Sequence, residues 1–367
     1  MIREHCFTDE WLEGFKKQKD HKRIDKIILE KMIYALHLLE RLKSNGLEFV
    51  FKGGTSLILL LKEGNRFSID IDIISKTDRA ELETILQKVV NSSNFTGVEL
   101  DEDRSYKPGV PKAHYSFTFD SVSKGKYSGT ILLDVLIEDS IYPEQIEVPI
   151  QTKWIETDGE TLVTAPSIDA ITGDKLTAFA PNTIGIPYFK GKVSFAMEIC
   201  KQLFDLSKLF EKVKNVEVVA ASFQVFAEQE IIYRKDENRE LELTLEMVLQ
   251  DTIDTCLIIA KRGSGSGDEK KKFTELQRGI RAFGTGFLMA GNFRIDDAIP
   301  ASARIAYLAV KIMVNDLSPI THYQGQDIKD LIIENQDWSF LNRLKRQPDK
   351  SSFFYWYKTV DLLTKAA

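Results

Sequence analysis

Two aspartates two positions apart, Asp70 and Asp72, alternate with Ile69, Ile71 and Ile73 in the stretch RFSIDIDIIS. On an extended strand, residues i and i+2 point to one face, about 7 Å apart along the chain. The isoleucines then define a buried face and the two acids the opposite one. Just upstream, LEFVFKGGTSLILLL reads as a strand, a tight turn at Gly53, Gly54, Thr55 and Ser56, and a short apolar helix. A glycine turn at a helix start offers backbone N–H groups and the positive end of the helix dipole to an anion. A phosphate cradle followed by paired carboxylates suits a nucleoside triphosphate carried on magnesium. Mg²⁺ takes hard oxygen ligands and keeps several waters, so a few carboxylates suffice.

A third carboxylate, Asp134, lies in ILLDVLI, where every neighbour is aliphatic. An ionised acid there is costly unless a cation or hydrogen bonds compensate it. It is therefore read either as a third metal ligand or as a core Asp bonded to the backbone. Gathering three acids makes sense for nucleotidyl transfer, in which metal ions roughly 3.5–4 Å apart hold the attacking and leaving oxygens in line. Ser56 and Lys175 are read either as completing the nucleotide site, one as a hydroxyl for a terminal phosphate and the other as a point charge on the triphosphate, or as an ordinary helix first-turn residue and an exposed surface amine. Asp205, in KQLFDLSKL, would orient Lys175 or the substrate. Arg66, in NRFSIDID, would bind phosphate, buttress Asp70, or make a structural salt bridge.

The elements that must position these residues change character along the chain. Residues 9–43 read as helix, with an apolar face at Ile24, Ile27, Ile28, Met32, Ala35, Leu36 and Leu39. The adjoining KKQKDHKRIDK is either a solvated helix face or a basic patch facing RNA. A helix at Asp78–Val90 is followed by strands at Phe95–Leu100, Ala113–Asp120, Thr130–Glu138 and Gln145–Ile150. From Ser167 onward strands largely disappear. Helices are expected after Pro166, through FAMEICKQLFDLSKLFEKV, and at Val216–Ile232, Leu241–Ala260, Phe273–Met289, Ala301–Val314 and Phe353–Thr364. The fold class is thus an α/β domain with a mixed sheet over residues 1–165, then a mainly helical domain over 166–367 that completes a cleft for the NTP. Arg262–Lys272, RGSGSGDEKKK, reads as a flexible linker, and its GSGSG fits a natural linker and an engineered loop replacement equally.

At 367 residues two domains are the default. The net charge of −6 gives no global signature of nucleic-acid binding, so any RNA contact must be local. Cys6, Cys200 and Cys256 form no CxxC pair, which excludes a disulfide framework and a thiolate zinc site. The charged N-terminus is unlike a signal peptide and the apolar runs are too short for a bilayer, so a cytoplasmic protein without membrane contact is expected.

The order GGTS, RFSIDID and a later strand Asp resembles the polymerase-β-type nucleotidyltransferases. More narrowly, FKGGTSLILLLKEGNRFSIDIDI with the downstream DKLTA and KQLFDLSKL helices and the C-terminal QRGIRAFGTGFLMAGNFRIDDAIPASARIAYLA is similar to the AbiEii family, which includes the MenT toxins of type IV toxin–antitoxin and abortive-infection systems. The resemblance implies phosphate binding at the turn Gly54, Thr55 and Ser56, metal binding at Asp70 and Asp72, triphosphate binding at Lys175 and an essential Asp at Asp205; Asp134 fits the superfamily's third carboxylate by its strand setting alone. Where the family often has Arg-Asp before that last Asp-Leu pair, Lys201 and Gln202 stand here. The implied activity is Mg²⁺-dependent transfer of a nucleotide from an NTP with loss of pyrophosphate, the acceptor being the 3′ end of tRNA, and phage defence the setting. A winged-helix, AbiEi-like antitoxin is the implied partner. The alternatives are a protein-modifying (AMPylating) or small-molecule nucleotidyltransferase, or a non-catalytic binding protein on the same fold.

Overall fold

The computed structural model describes residues 1–17, 24–62, 66–105, 110–123, 128–234, 242–289 and 291–366. The chain divides into two compact units: Met1–Ser167 with Gly286–Gly291, and Ile168–Thr285 with Asn292–Ala367.

In the first unit, α1 (Asp9–Lys16) and α2 (Lys26–Ser44) precede β1 (Val50–Lys52), α3 (Gly53–Leu60), β2 (Ile71–Ile74), α4 (Arg79–Asn91) and β3 (Phe95–Leu100). Then come the short α5 (Glu102–Ser105), β4 (Lys112–Asp120), β5 (Ser128–Leu136), β6 (Gln145–Pro149) and β7 (Leu162–Pro166). Among the described residues the strands form one seven-stranded sheet in the order β3-β4-β5-β2-β1-β7-β6. The β2–β5 and β1–β7 pairs are parallel and the others antiparallel, which makes the sheet mixed. Strict alternation sorts its two faces. Ile71, Ile73, Leu133, Val135, Ala113, Tyr115, Phe117 and Phe119 are buried in a core shared with α2 and α4, through Leu36, Leu39, Leu82 and Leu86. Tyr34 of α2 stacks on Phe119 with ring centroids 3.6 Å apart. Asp72 and Asp134 interrupt those buried runs and fall on the other face of the sheet.

Over the helix expected at 9–43, the described residues form two helices, α1 and α2. Asp25 caps a fresh N-terminus, its carboxylate accepting from the N–H groups of Ile27 and Ile28, which starts α2 independently of α1. Part of KKQKDHKRIDK lies outside the described residues. The short β7 was not expected; it pairs in parallel with β1, next to the glycine turn. One more piece of this unit arrives from far along the chain. The Phe67 N–H donates to Phe287 O at 2.8 Å, Arg66 and Leu288 form an antiparallel bridge, and Met289 is buried in the same core.

The second unit is mainly helical: α6 (Ile168–Ala178), a small hairpin of β8 (Phe189–Lys190) and β9 (Val193–Ser194), then α7 (Ala196–Phe210), α8 (Val216–Arg234), α9 (Leu245–Lys261), α10 (Gly267–Gly286), α11 (Ile295–Met313) and α12 (Ser351–Ala366). Gly173 lets α6 press against α8, where an added Cβ would sit 2.4 Å from Val219 O. Buried Asp169 accepts from the N–H groups of Lys214 and Asn215 at the start of α8. The DEKKK part of the expected linker is helical instead. Ser266 and Glu269 exchange backbone-to-side-chain hydrogen bonds and so cap α10 at its first turn.

Candidate active site

The glycine turn closes directly from β1 into α3, and two features require glycine at Gly53. Its φ is +77°, and a Cβ there would lie 2.0 Å from Asp72 Oδ2. The space that side chain would fill belongs to the carboxylate of Asp72. At Gly54 an added Cβ would meet Arg66 Nη2 at 2.5 Å and Ser68 Oγ at 2.9 Å. Arg66 is buried and donates through Nη1 to Phe67 O at 3.1 Å, so its guanidinium flanks the turn. Thr55 is fully buried and donates to Asp70 O at 2.5 Å, which ties the turn to the backbone of the acid pair. The Ser56 hydroxyl is also buried and donates to Gly53 O at 2.9 Å, an ordinary first-turn bond.

The two acids of the pair are not equivalent. Asp70 is exposed and stands just ahead of β2, whereas Asp72 lies within it, partly buried. Strand register then lines up a polar row across four strands. Lys52 of β1 faces Asp72 of β2, Asp72 faces Asp134 of β5, and Asp134 faces His114 of β4. His114 Nδ1 lies 2.6 Å from Asp134 Oδ1, and Arg104 Nη2 lies 3.5 Å from Oδ2. The sequence reading thus found Asp72 and Asp134, and the register brings them side by side. It missed Lys52, His114 and Arg104. Only the polar positions of AHYSFTFD carried a hint of His114, and its pairing with Asp134 depends on strand register, which periodicity does not reveal.

In the second unit, Lys175 in the last turn of α6 donates to Asp205 Oδ2 at 2.9 Å and to Gln202 Oε1 at 3.1 Å, both on α7. The Lys175 and Asp205 side chains are only 6% and 2% exposed. Gln202, one of the two departures from the family pattern, is therefore a partner of the lysine.

Among the described residues, no three His, Cys, Asp or Glu side chains converge as a ready-made metal cage. The donor set still fits a hard divalent cation. Asp72 and Asp134 are oxygen donors paired across adjacent strands, and Asp72 reaches into room kept by Gly53.

A glycine turn thus opens a helix beside carboxylates on a mixed sheet, the arrangement the sequence reading expects of a nucleotide site. Residues 37–262 match the family described as nucleotidyl transferase AbiEii toxin, type IV TA system. That is more than half of the chain, which belongs to this family of nucleotidyltransferase toxins. A toxin of this type has a cognate antitoxin. No curated protein matches the chain. Among solved structures, it is similar to JHP933 from Helicobacter pylori at 14% identity and a TM-score of 0.41, covering 78% of this chain and 93% of that one. A putative nucleotidyltransferase from H. pylori gives 17%, 0.33, 68% and 95%. MenT4, a nucleotidyltransferase toxin from Mycobacterium tuberculosis H37Rv, gives 12%, 0.40, 75% and 94%. At these values the family match alone carries the assignment. Among the described residues no helix is long and apolar enough to cross a membrane.

Proposed function

We propose that this toxin transfers a nucleotide from an NTP to the 3′ end of tRNA, releases pyrophosphate, and so blocks aminoacylation in the cytoplasm. The observation that carries the donor chemistry is the side-by-side register of Asp72 and Asp134 next to the Gly53 turn. Asp70, Asp72 and Asp134 would hold Mg²⁺, which when bound neutralises phosphate charge and lowers the pKa of an attacking hydroxyl. The backbone N–H groups of Gly54, Thr55 and Ser56 would receive phosphate oxygens at the start of α3, and Arg66 would brace the turn from behind. Lys175 would add a cation for the triphosphate, its rotamer set by Asp205 and Gln202. The acceptor hydroxyl oxygen attacks the α-phosphorus, the bond to the bridging oxygen of pyrophosphate breaks, and the hydroxyl proton passes to solvent, or to Asp134 where that carboxylate acts as base in place of ligand. The two units are proposed as the two functional domains. A winged-helix antitoxin is the proposed partner, and phage defence the proposed setting.

Incubation of the full chain with each labelled NTP, with and without tRNA, tests this reading. Label on the tRNA 3′ end with release of pyrophosphate is expected. Label entering proteins of a lysate or an aminoglycoside instead would replace the tRNA acceptor, and no transfer at all would leave a binding protein.

A further inference from the structure

His114 and Arg104 are delivered to Asp134 by one built corner of the fold. The Asp101 N–H donates to His114 O at 2.8 Å, and the Ser105 hydroxyl donates to Asp101 O at 2.6 Å. Ser105 in turn accepts the His114 N–H at 2.9 Å, and Asp101 Oδ1 accepts the Arg104 N–H at 3.2 Å. Both ends of the short α5 are therefore bonded to the strand that carries His114. The two side chains divide the Asp134 carboxylate between them in unequal ways. His114 is 13% exposed and makes a 2.6 Å contact to Oδ1. Arg104 is 46% exposed and stands at 3.5 Å from Oδ2. An ionised carboxylate only accepts, so the contact is a hydrogen bond in the tautomer that carries the hydrogen on Nδ1.

We propose that His114 is a positioning residue that fixes the Asp134 carboxylate for cation binding, and that Arg104 is a displaceable occupant of its second oxygen; both roles rest on the reading of Asp134 as a cation ligand. A carboxylate on a strand has two rotatable bonds, and a short hydrogen bond from a mostly buried, backbone-anchored ring removes that freedom before any ion arrives. Hydrogen-bond partners that orient a metal ligand in this way typically change metal affinity 10–100-fold when removed. Arg104 acts in the opposite direction. Its charge occupies the place of a second cation at Oδ2, but long contact and high exposure make the pair weak. An incoming divalent ion would displace it, leaving the guanidinium to face an anion.

The two residues therefore have opposite effects on one measurable quantity. Mn²⁺ affinity of the full chain, read by electron paramagnetic resonance without nucleotide, is independent of turnover. His114→Ala is expected to weaken Mn²⁺ binding about 10–100-fold. His114→Asn, whose Nδ2 lies where Nδ1 was, is expected to restore most of it. His114→Gln, whose amide reaches toward the Nε2 position, is expected to restore little. Arg104→Gln is expected to tighten binding by a few-fold. If His114→Ala binds like the parent while Asp134→Asn is impaired, the role of His114 is wrong and the metal site stands. If Asp72→Asn and Asp134→Asn both bind like the parent, the metal site itself is misplaced. Should the alanine variant fail to fold, equal affinities of the Asn and Gln variants would overturn the positioning role. Unchanged or weaker binding by Arg104→Gln would overturn the role of Arg104.

Discussion

In the proposed site the buried Lys175–Asp205 pair would serve both stability and nucleotide binding. With both members nearly excluded from water, removing either one takes the ion-pair partner away from a buried charge, which costs about 3–5 kcal/mol. Lys175→Ala is therefore expected to lower stability by that order as well as to abolish growth inhibition. The double variant Lys175→Met/Asp205→Leu is expected to regain most of the stability and none of the toxicity, measured by urea unfolding and by growth on induction. Gly53→Ala belongs to the same scale. Its Cβ would collide with Asp72 at a positive φ, so loss of nucleotide transfer is expected with only about 1–3 kcal/mol of destabilisation. His37 carries a pH dependence. Its ring is buried against Phe7 and Phe95, and burial pushes its pKa below the ordinary histidine value, even with Glu40 nearby pulling the other way. The folded state then binds fewer protons than the unfolded one. The resulting stability is present above the unfolded value, about 6.5, and is lost as pH falls from there toward the folded value. Urea midpoints of the parent are expected to drop below pH 6.5 more steeply than those of His37→Phe, and parallel curves would refute this.

At the scale of elements, helix contacts in the second unit are set by backbone proximity. Gly173→Ala places a Cβ against the backbone of α8, and overpacking of this kind costs about 1–3 kcal/mol. A lowered denaturant midpoint at unchanged slope is the expected outcome. Elements were the most legible part of the sequence. Alternation marked β4, because one of its faces meets the core and the other does not. Asp78 marked the start of α4, where its carboxylate accepts the Glu81 N–H. What escaped was information held in pairing. The short β7 has too few residues to show a period, and it earns its place by docking on β1. The row Lys52–Asp72–Asp134–His114 joins four strands that only the register aligns. The carboxylates stood out because aliphatic neighbours made them costly, whereas Lys52 and His114 looked like ordinary polar-face residues.

For the whole molecule, the telling feature is that the first unit is not one continuous stretch of chain. Met289 is 2% exposed within its core, and Phe287 and Leu288 pair with the backbone that leads into the acid pair. Met289→Ala is expected to cost about 2–5 kcal/mol, and to impair nucleotide binding although residue 289 is remote in sequence from every candidate site residue of that unit. A fragment ending at Ser167 is expected to lack the near-ultraviolet circular dichroism of a fixed core. The same feature bears on synthesis. Proteins emerge from the ribosome N-terminus first, at roughly 5–20 residues per second, so the interval between Arg66 and Met289 is on the order of tens of seconds. During that interval the turn and the carboxylates exist as polypeptide, but the segment Phe287–Met289 that pairs beside them has not been made. A nascent chain of this toxin is therefore expected to be harmless until residue 289 has been added, and truncated chains ending before Phe287 are expected not to inhibit growth when expressed.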